Sequence, residues 1–164
     1  MSVIVVMGVS GSGKTTVGTA LAEALGVEYA EADTFHPRAN IEKMSSGVPL
    51  TDEDRAPWLE AIAVWIREHQ ETGGVVTSSA LKRRYRDVLR SGGDVWFIHL
   101  DGDRETLAER MKTRKGHFMP VSLLDSQLAD LEPLQPDEHG EVLDIRRSPE
   151  DLTQAALASF REHA

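Results

Sequence analysis

The stretch MGVSGSGKTT (Met7–Thr16) follows the apolar run Val3–Val6 and sets three glycines and two serines around a single lysine. A β-branched run that breaks into glycine reads as a buried strand ending in a tight turn. Beyond it Val17, Ala20, Leu21, Ala24 and Leu25 recur at helical spacing, and Gly26 stands where a helix terminus favours glycine. The chain therefore opens with a strand, a small-residue loop and a helix.

Within that unit Gly8, Val9, Ser10, Gly11, Ser12, Gly13, Lys14 and Thr15 match G-x-x-x-x-G-K-[ST], the spacing of a phosphate loop. A loop that wraps a triphosphate must turn several backbone N–H groups inward and bring main chain close to oxygen, which glycine permits and bulky side chains obstruct. The helix start, Thr16 included, adds unpaired N–H groups and a positive dipole end. Lys14 can reach the β- and γ-phosphates as a mobile point charge, and Thr15 can ligate Mg²⁺. The alternative, a glycine-rich βα turn that binds nothing, leaves the lysine in register unexplained.

Val27–Ala30, Val75–Thr77, Val95–Leu100 and Val142–Ile145 are short Val- or Ile-rich runs that read as further buried strands. Helices separate them. Thr51 and Asp54 have capping-box spacing ahead of Trp58, Leu59, Ile62, Trp65 and Ile66, which share one face. A third helix, ALKRRYRDVLR, stops at Gly92–Gly93; its face is solvated apart from a stripe of Leu81, Tyr85, Val88 and Leu89. Asp103 caps a fourth helix running to Gly116, and Ser148-Pro149 opens the last. Alternating strands and helices imply one α/β domain over residues 1–164, a mostly parallel sheet covered on both faces. Trp58, Trp65 and Trp96 are assigned to its core.

At 164 residues the chain can bury a core without staples. A composition 40% hydrophobic and 27% charged is that of a soluble globular protein, and no apolar run is long enough to cross a bilayer. The start, MSVIVVMG, lacks the basic residues of a signal peptide and is expected to be a strand in a cytoplasmic protein. The absence of cysteine excludes a disulfide framework and a thiolate metal site. A net charge of -9 argues against broad nucleic-acid or anionic-membrane binding, so a polyanionic ligand must be small and held locally.

A GTP switch is disfavoured, because SSALK (Ser78–Lys82) sits mid-chain and no Asn-Lys-x-Asp segment is present. Motor-type ATPases need a larger domain. A small kinase fits better, and it must hold a second substrate opposite the phosphate loop and exclude water on closing. Two stretches suit those tasks. The segment at about 33–60 carries Asp33, His36, Arg38, Asn40 and Arg55 just past a strand's carboxyl end, where ligands sit in open α/β sheets. ERMKTRKGHFMP places Arg110 and Arg114 an i,i+4 step apart ahead of Gly116 and His117, a lid spanning about 110–133 that carries cations onto the transferring phosphoryl group. Surface pairing with Glu109 or Glu105 is the alternative for those arginines.

Together MGVSGSGKTT, ADTFHPRANIEKMSSGVPLTDEDRAPWL, SALKRRYRDVLR and RKGHFMPVSLLDSQLADLEP resemble, in order from about Met7 to Pro133, the gluconokinase family of small ATP-dependent kinases related to shikimate kinase. The HP-x-x-NI-x-KM and HFMP-x-x-LL-x-SQ stretches are far more distinctive than the phosphate loop. The resemblance implies a P-loop NTPase fold with a five-stranded parallel sheet in the order 2-3-1-4-5, a mobile lid and a homodimer. It implies ATP, Mg²⁺ and D-gluconate as ligands, with the γ-phosphoryl passing to the 6-hydroxyl to give 6-phosphogluconate.

The sequence departs from the family at Glu31-Ala32, where relatives commonly carry a glycine beside the aspartate, and at Ser78, where a cysteine is often found. The region after Pro133 matches poorly. Within this reading Asp33 orients the attacking hydroxyl, accepts its proton and holds Mg²⁺-bound water; an Asp after a strand can also merely cap the next turn. Arg55 is the first choice for the gluconate carboxylate and Arg38 the second, since a guanidinium pairs bidentately. His36 and Asn40 read hydroxyls, or else cap a helix and line a turn. Lys82 and Arg86 line the same cavity. His117 touches substrate on closure or packs the hinge, and Arg147 lies over the adenine or on the surface.

Overall fold

The computed structural model describes residues 2–9, 11–35, 38–48, 50–113 and 122–163. Five strands form a sheet in the order β2-β3-β1-β4-β5, with every neighbouring pair parallel: β1 (Val3–Met7), β2 (Glu28–Glu31), β3 (Gly74–Ser78), β4 (Val95–Asp101) and β5 (Gly140–Asp144). The expected fold and strand order are thus present. Parallel neighbours need crossover helices, and their right-handed sense fixes the faces. Helix α1 (Lys14–Leu25) packs against β3 and against α7 (Pro149–His163), which lies over β4 and β5; α3 (Asp52–Glu68) packs on α4 (Arg83–Arg90).

Every residue of β1 is wholly buried, which explains its unbroken Val-Ile-Val-Val sequence. The expectation of buried strands fails at the two edges. In β2 no residue is fully buried, and Val142 of β5 is 50% exposed, because an edge strand has a neighbour on one side only. The core runs from β1, β3 and β4 into Leu21 of α1, Ile62 and Ile66 of α3, Leu89 of α4 and Ala156 of α7. Cutting Ile62 or Ile66 back to alanine is expected to cost about 2–5 kcal/mol. Trp58 is 3% exposed, whereas Trp65 and Trp96 are half-buried against the core's rim.

Local signals set the helix ends. Gly26 closes α1 in the left-handed region at φ 66°. Thr51 accepts from the Asp54 N–H while the Asp54 carboxylate accepts from the Thr51 N–H, a complete capping box for α3. Asp103 accepts from the Thr106 N–H at the start of α5 (Arg104–Thr113), and Ser148 accepts from the Asp151 N–H ahead of α7. The fourth helix was expected to reach Gly116; its last three positions lie outside the described residues. Two short helices complete the chain, α2 (Arg38–Ser45) and α6 (Ser122–Asp130).

Candidate active site

All five strands point their carboxyl ends to one edge, and the loops leaving them build the site. After β1 the phosphate loop needs glycine: Gly8, Gly11 and Gly13 take φ of 148°, 85° and 91°. A Cβ on Gly8 would stand 2.7 Å from the Leu100 carbonyl oxygen, so no larger residue fits. Gly13 caps α1 without any side-chain bond, which leaves first-turn N–H groups directed at the loop. Lys14 folds back, its Nζ donating to the carbonyls of Gly8 (2.8 Å) and Val9 (3.1 Å). The Ser12 hydroxyl is buried with no partner among the described residues. A cradle of backbone N–H groups, a hydroxyl and a cation fits a polyphosphate.

Beside the loop a cleft of about 130 Å³ is lined by Ser12, Gly13, Thr16, Arg110 and Arg147, with Val17, Ile145 and Leu152 as its apolar wall. Arg110 crosses its mouth, donating to the Ile145 carbonyl at 2.7 Å and approaching Gly13. Loop, Arg110 and Arg147, expected separately to touch nucleotide, therefore meet around one cleft with an apolar side and cationic ends.

After β2 a 3-10 turn (Ala32–Phe35) carries the backbone of Asp33. It is fixed from below, where the Trp58 indole N–H donates to the Ala32 carbonyl at 2.8 Å and the Ala32 N–H donates to Thr77 Oγ1 at 3.3 Å. Trp58 lies one helical turn beyond Arg55, so this bond brings Arg55 to the same edge as Asp33. Arg55 is 7% exposed; its Nη1 donates to the Tyr85 hydroxyl at 2.8 Å and lies 3.9 Å from the Asp130 carboxylate. Tyr85 donates onward to Asp52, which also pairs with Lys82 at 3.6 Å and with Arg84. Burial and then Asp52 push the Tyr85 hydroxyl up, so it remains a donor at neutral pH.

Not every expected residue joins this group. Arg86 is corrected: it is wholly buried, bidentate to Glu138 (2.5 and 2.9 Å), and spends its other donors on the carbonyls of Ala80, Leu81 and Pro133. It braces α4 against the segment ahead of β5 and has no donor left for a substrate. Asn40 turns inward and donates to the Asp54 carbonyl at 2.8 Å, docking α2 on α3. The Arg38 side chain is 92% exposed and pairs with Glu42. Ser10, His36, Arg114 and His117 lie outside the described residues.

Three residues that the sequence reading missed belong here. The spacing of α4 places Tyr85 in an apolar stripe, and nothing in the sequence singles out Asp52. Glu31 accepts from Thr15 Oγ1 at 2.6 Å and from the Tyr29 hydroxyl at 2.8 Å, so a carboxylate stands at the helix-start threonine. Burial first and Glu31 second push the Tyr29 phenol up, keeping it protonated. Glu31 is the last residue of β2 and stands two positions before Asp33, and that spacing was the available signal.

A family model described as an AAA domain matches residues 4–119. Over 162 residues the chain is 56% identical to the gluconokinase of Gluconobacter oxydans (strain 621H), covering 96% of this chain and 90% of that one. The chain belongs to the gluconokinase family. It is also 48% identical over 163 residues to the thermosensitive gluconokinase of Escherichia coli (strain K12), covering 94% and 87% of the two chains. The crystal structure of a gluconokinase from Sinorhizobium meliloti 1021 superposes with a TM-score of 0.91 at 47% identity, covering 99% of this chain and 93% of that one. Gluconokinase relatives thus span the fold and the whole edge at which the site is built.

Proposed function

We infer that the protein is an ATP-dependent gluconokinase that transfers the γ-phosphoryl of ATP to the 6-hydroxyl of D-gluconate, giving 6-phosphogluconate and ADP. The observation that supports this reading is that the phosphate loop follows β1 and the Asp33 turn follows β2 at the same edge of the sheet, with the buried Arg55 one helical turn from the Trp58 that bonds to that turn. The loop and helix α1 hold the triphosphate, and the cleft between Thr16 and Arg147 takes the adenosine end. Arg55 pairs with the gluconate carboxylate, and Lys82 faces the same acceptor.

In the transfer the O6–H proton passes to the Asp33 carboxylate, O6 bonds to the γ-phosphorus, and the bond from that phosphorus to the β,γ-bridging oxygen breaks, leaving ADP. Lys14 swings from the carbonyls of Gly8 and Val9 to the β- and γ-oxygens, while Arg110 and Arg114 balance the spreading negative charge. Thr15 and Glu31 offer hard oxygen donors 2.6 Å apart, a set that suits Mg²⁺ and would hold it, and Asp33 would reach the ion through water. The ion, when bound, neutralises phosphate charge. His36 and His117 complete the acceptor pocket as residues 110–133 close. The protein works in the cytoplasm as a homodimer, a reading supported by the family resemblance and checked by light scattering.

The test is ADP release with MgATP and D-gluconate, shikimate, other sugar acids or no acceptor. A gluconate-dependent signal that falls by roughly 10²-fold or more in Asp33→Asn, with ATP binding retained, is the expected result. Lys14→Met is expected to lose on the order of 10³-fold in rate and to weaken ATP binding as well. Equal background with every acceptor overturns the reading.

A further inference from the structure

At the opposite edge of the sheet, where the strands begin, three side chains from separate elements converge. The Asp94 carboxylate, in the turn before β4, and the imidazoles of His139, in the turn before β5, and His163, at the end of α7, offer ligand atoms within 4.8 Å of one another. We propose that Asp94, His139 and His163 form a binding site for a divalent transition-metal ion of the zinc class, which staples the turns before β4 and β5 to the end of α7.

The donor set decides the class of ion. Two imidazoles and one carboxylate suit zinc, cobalt or nickel, whereas Mg²⁺ and Ca²⁺ prefer oxygen alone. Ligand atoms around a tetrahedral ion with bonds of about 2.0–2.1 Å lie about 3.4 Å apart. His163 Nε2 and Asp94 Oδ2 are already 3.6 Å apart. The two imidazole rings are 5.3 Å apart between centroids, and His139 is exposed, so a rotation of that side chain closes the triangle. The fourth position is left for water.

The supports of the three ligands are fixed independently of any ion. His163 stacks on Trp96 at 4.4 Å, and the Trp96 indole N–H donates to Ser159 of α7 at 3.1 Å. The Asp94 backbone is clamped by Gln70, which accepts from its N–H at 2.9 Å and donates to its carbonyl at 3.1 Å. The Ser2 hydroxyl orients the Asp94 carboxylate. The His139 carbonyl accepts from the Phe97 N–H at 2.9 Å, which anchors that turn to β4. Arg83 and Arg90 line the adjoining groove, and their charge is offset by Asp87 and Asp137.

The site stands apart from the kinase reaction, so its test does not depend on turnover. Nucleotide-free protein stripped with a chelator is titrated with Zn²⁺ by calorimetry and with Co²⁺ by visible absorption. The expected result is one ion per chain, tetrahedral cobalt bands, and a Tm raised by about 5–10 °C at a hundredfold excess over Kd. His139→Gln, whose exposed side chain leaves the metal-free Tm unchanged, is expected to weaken binding at least tenfold, as is His163→Gln. Glu31→Gln, at the other edge, is expected to bind as the parent does. Absence of saturable binding, binding that survives both histidine substitutions, or binding that disappears in Glu31→Gln overturns the proposal.

Discussion

Arg55 on α3 and Arg86 on α4 are both buried arginines on the same pair of packed helices, yet they end in opposite chemical states. Arg86 satisfies all five of its N–H donors, two on Glu138 and three on backbone carbonyls. Arg55 makes one hydrogen bond, to Tyr85, and one long ion pair to Asp130 among the described residues. Burial alone does not separate a brace from a binding group; donor saturation does. A guanidinium held rigid with donors to spare can take a carboxylate bidentately, while a saturated one can only hold the fold together.

Five substitutions test this contrast and the capping box beside it, in order of decreasing effect. Arg86→Leu leaves Glu138 buried without its partner and is expected to cost about 3–5 kcal/mol of unfolding free energy in urea titration. Adding Glu138→Leu is expected to recover most of that loss, because the uncompensated charge goes with it. Arg55→Gln, by contrast, is expected to raise the KM for gluconate by roughly 10–100-fold, about 1.5–3 kcal/mol, with the KM for ATP little changed.

Asp130→Asn probes the long pair directly. On the proposed reading its carboxylate would compete with gluconate's for Arg55, and at 3.9 Å and 32% exposure the pair is weak. Removing that charge is expected to lower the KM for gluconate by no more than about 5-fold, in line with partly exposed pairs worth under ~1 kcal/mol. The smallest effect concerns acid stability. Hydrogen bonding from Lys43, then from the Thr51 N–H, lowers the Asp54 carboxyl from 3.8 to about 2. A depressed folded value stabilises the protein above the unfolded value, and that contribution is lost as pH falls from about 4 toward about 2. Asp54→Asn is therefore expected to flatten the thermal stability profile across that window.

What the sequence made legible follows from range. The phosphate loop, the capping box at Thr51 and the glycine at the end of α1 are local devices whose partners lie within a few positions, and each appears in the structure where the spacing placed it. The gluconokinase motifs carried the fold and strand order in the same way. The roles of the arginines were hidden because their partners are distant: Tyr85 is 30 positions from Arg55, and Glu138 is 52 from Arg86. Tyr85 matched the apolar spacing of α4, and periodicity cannot report that its hydroxyl reaches across to α3. The edge strands misled for a related reason, since Val142 has the composition of a buried strand in a position with one neighbour.

The bond from the Trp58 indole to the Ala32 carbonyl also makes the protein its own optical reporter. An indole buried in the core and hydrogen-bonded to the turn that carries Asp33 changes its emission wavelength and quantum yield whenever that turn shifts. Trp65 and Trp96 sit at the far rim of the sheet, by Gly74 and the end of α7. Binding at the acceptor side will therefore be seen through Trp58 without any attached dye, in real time and before a single phosphoryl group has moved.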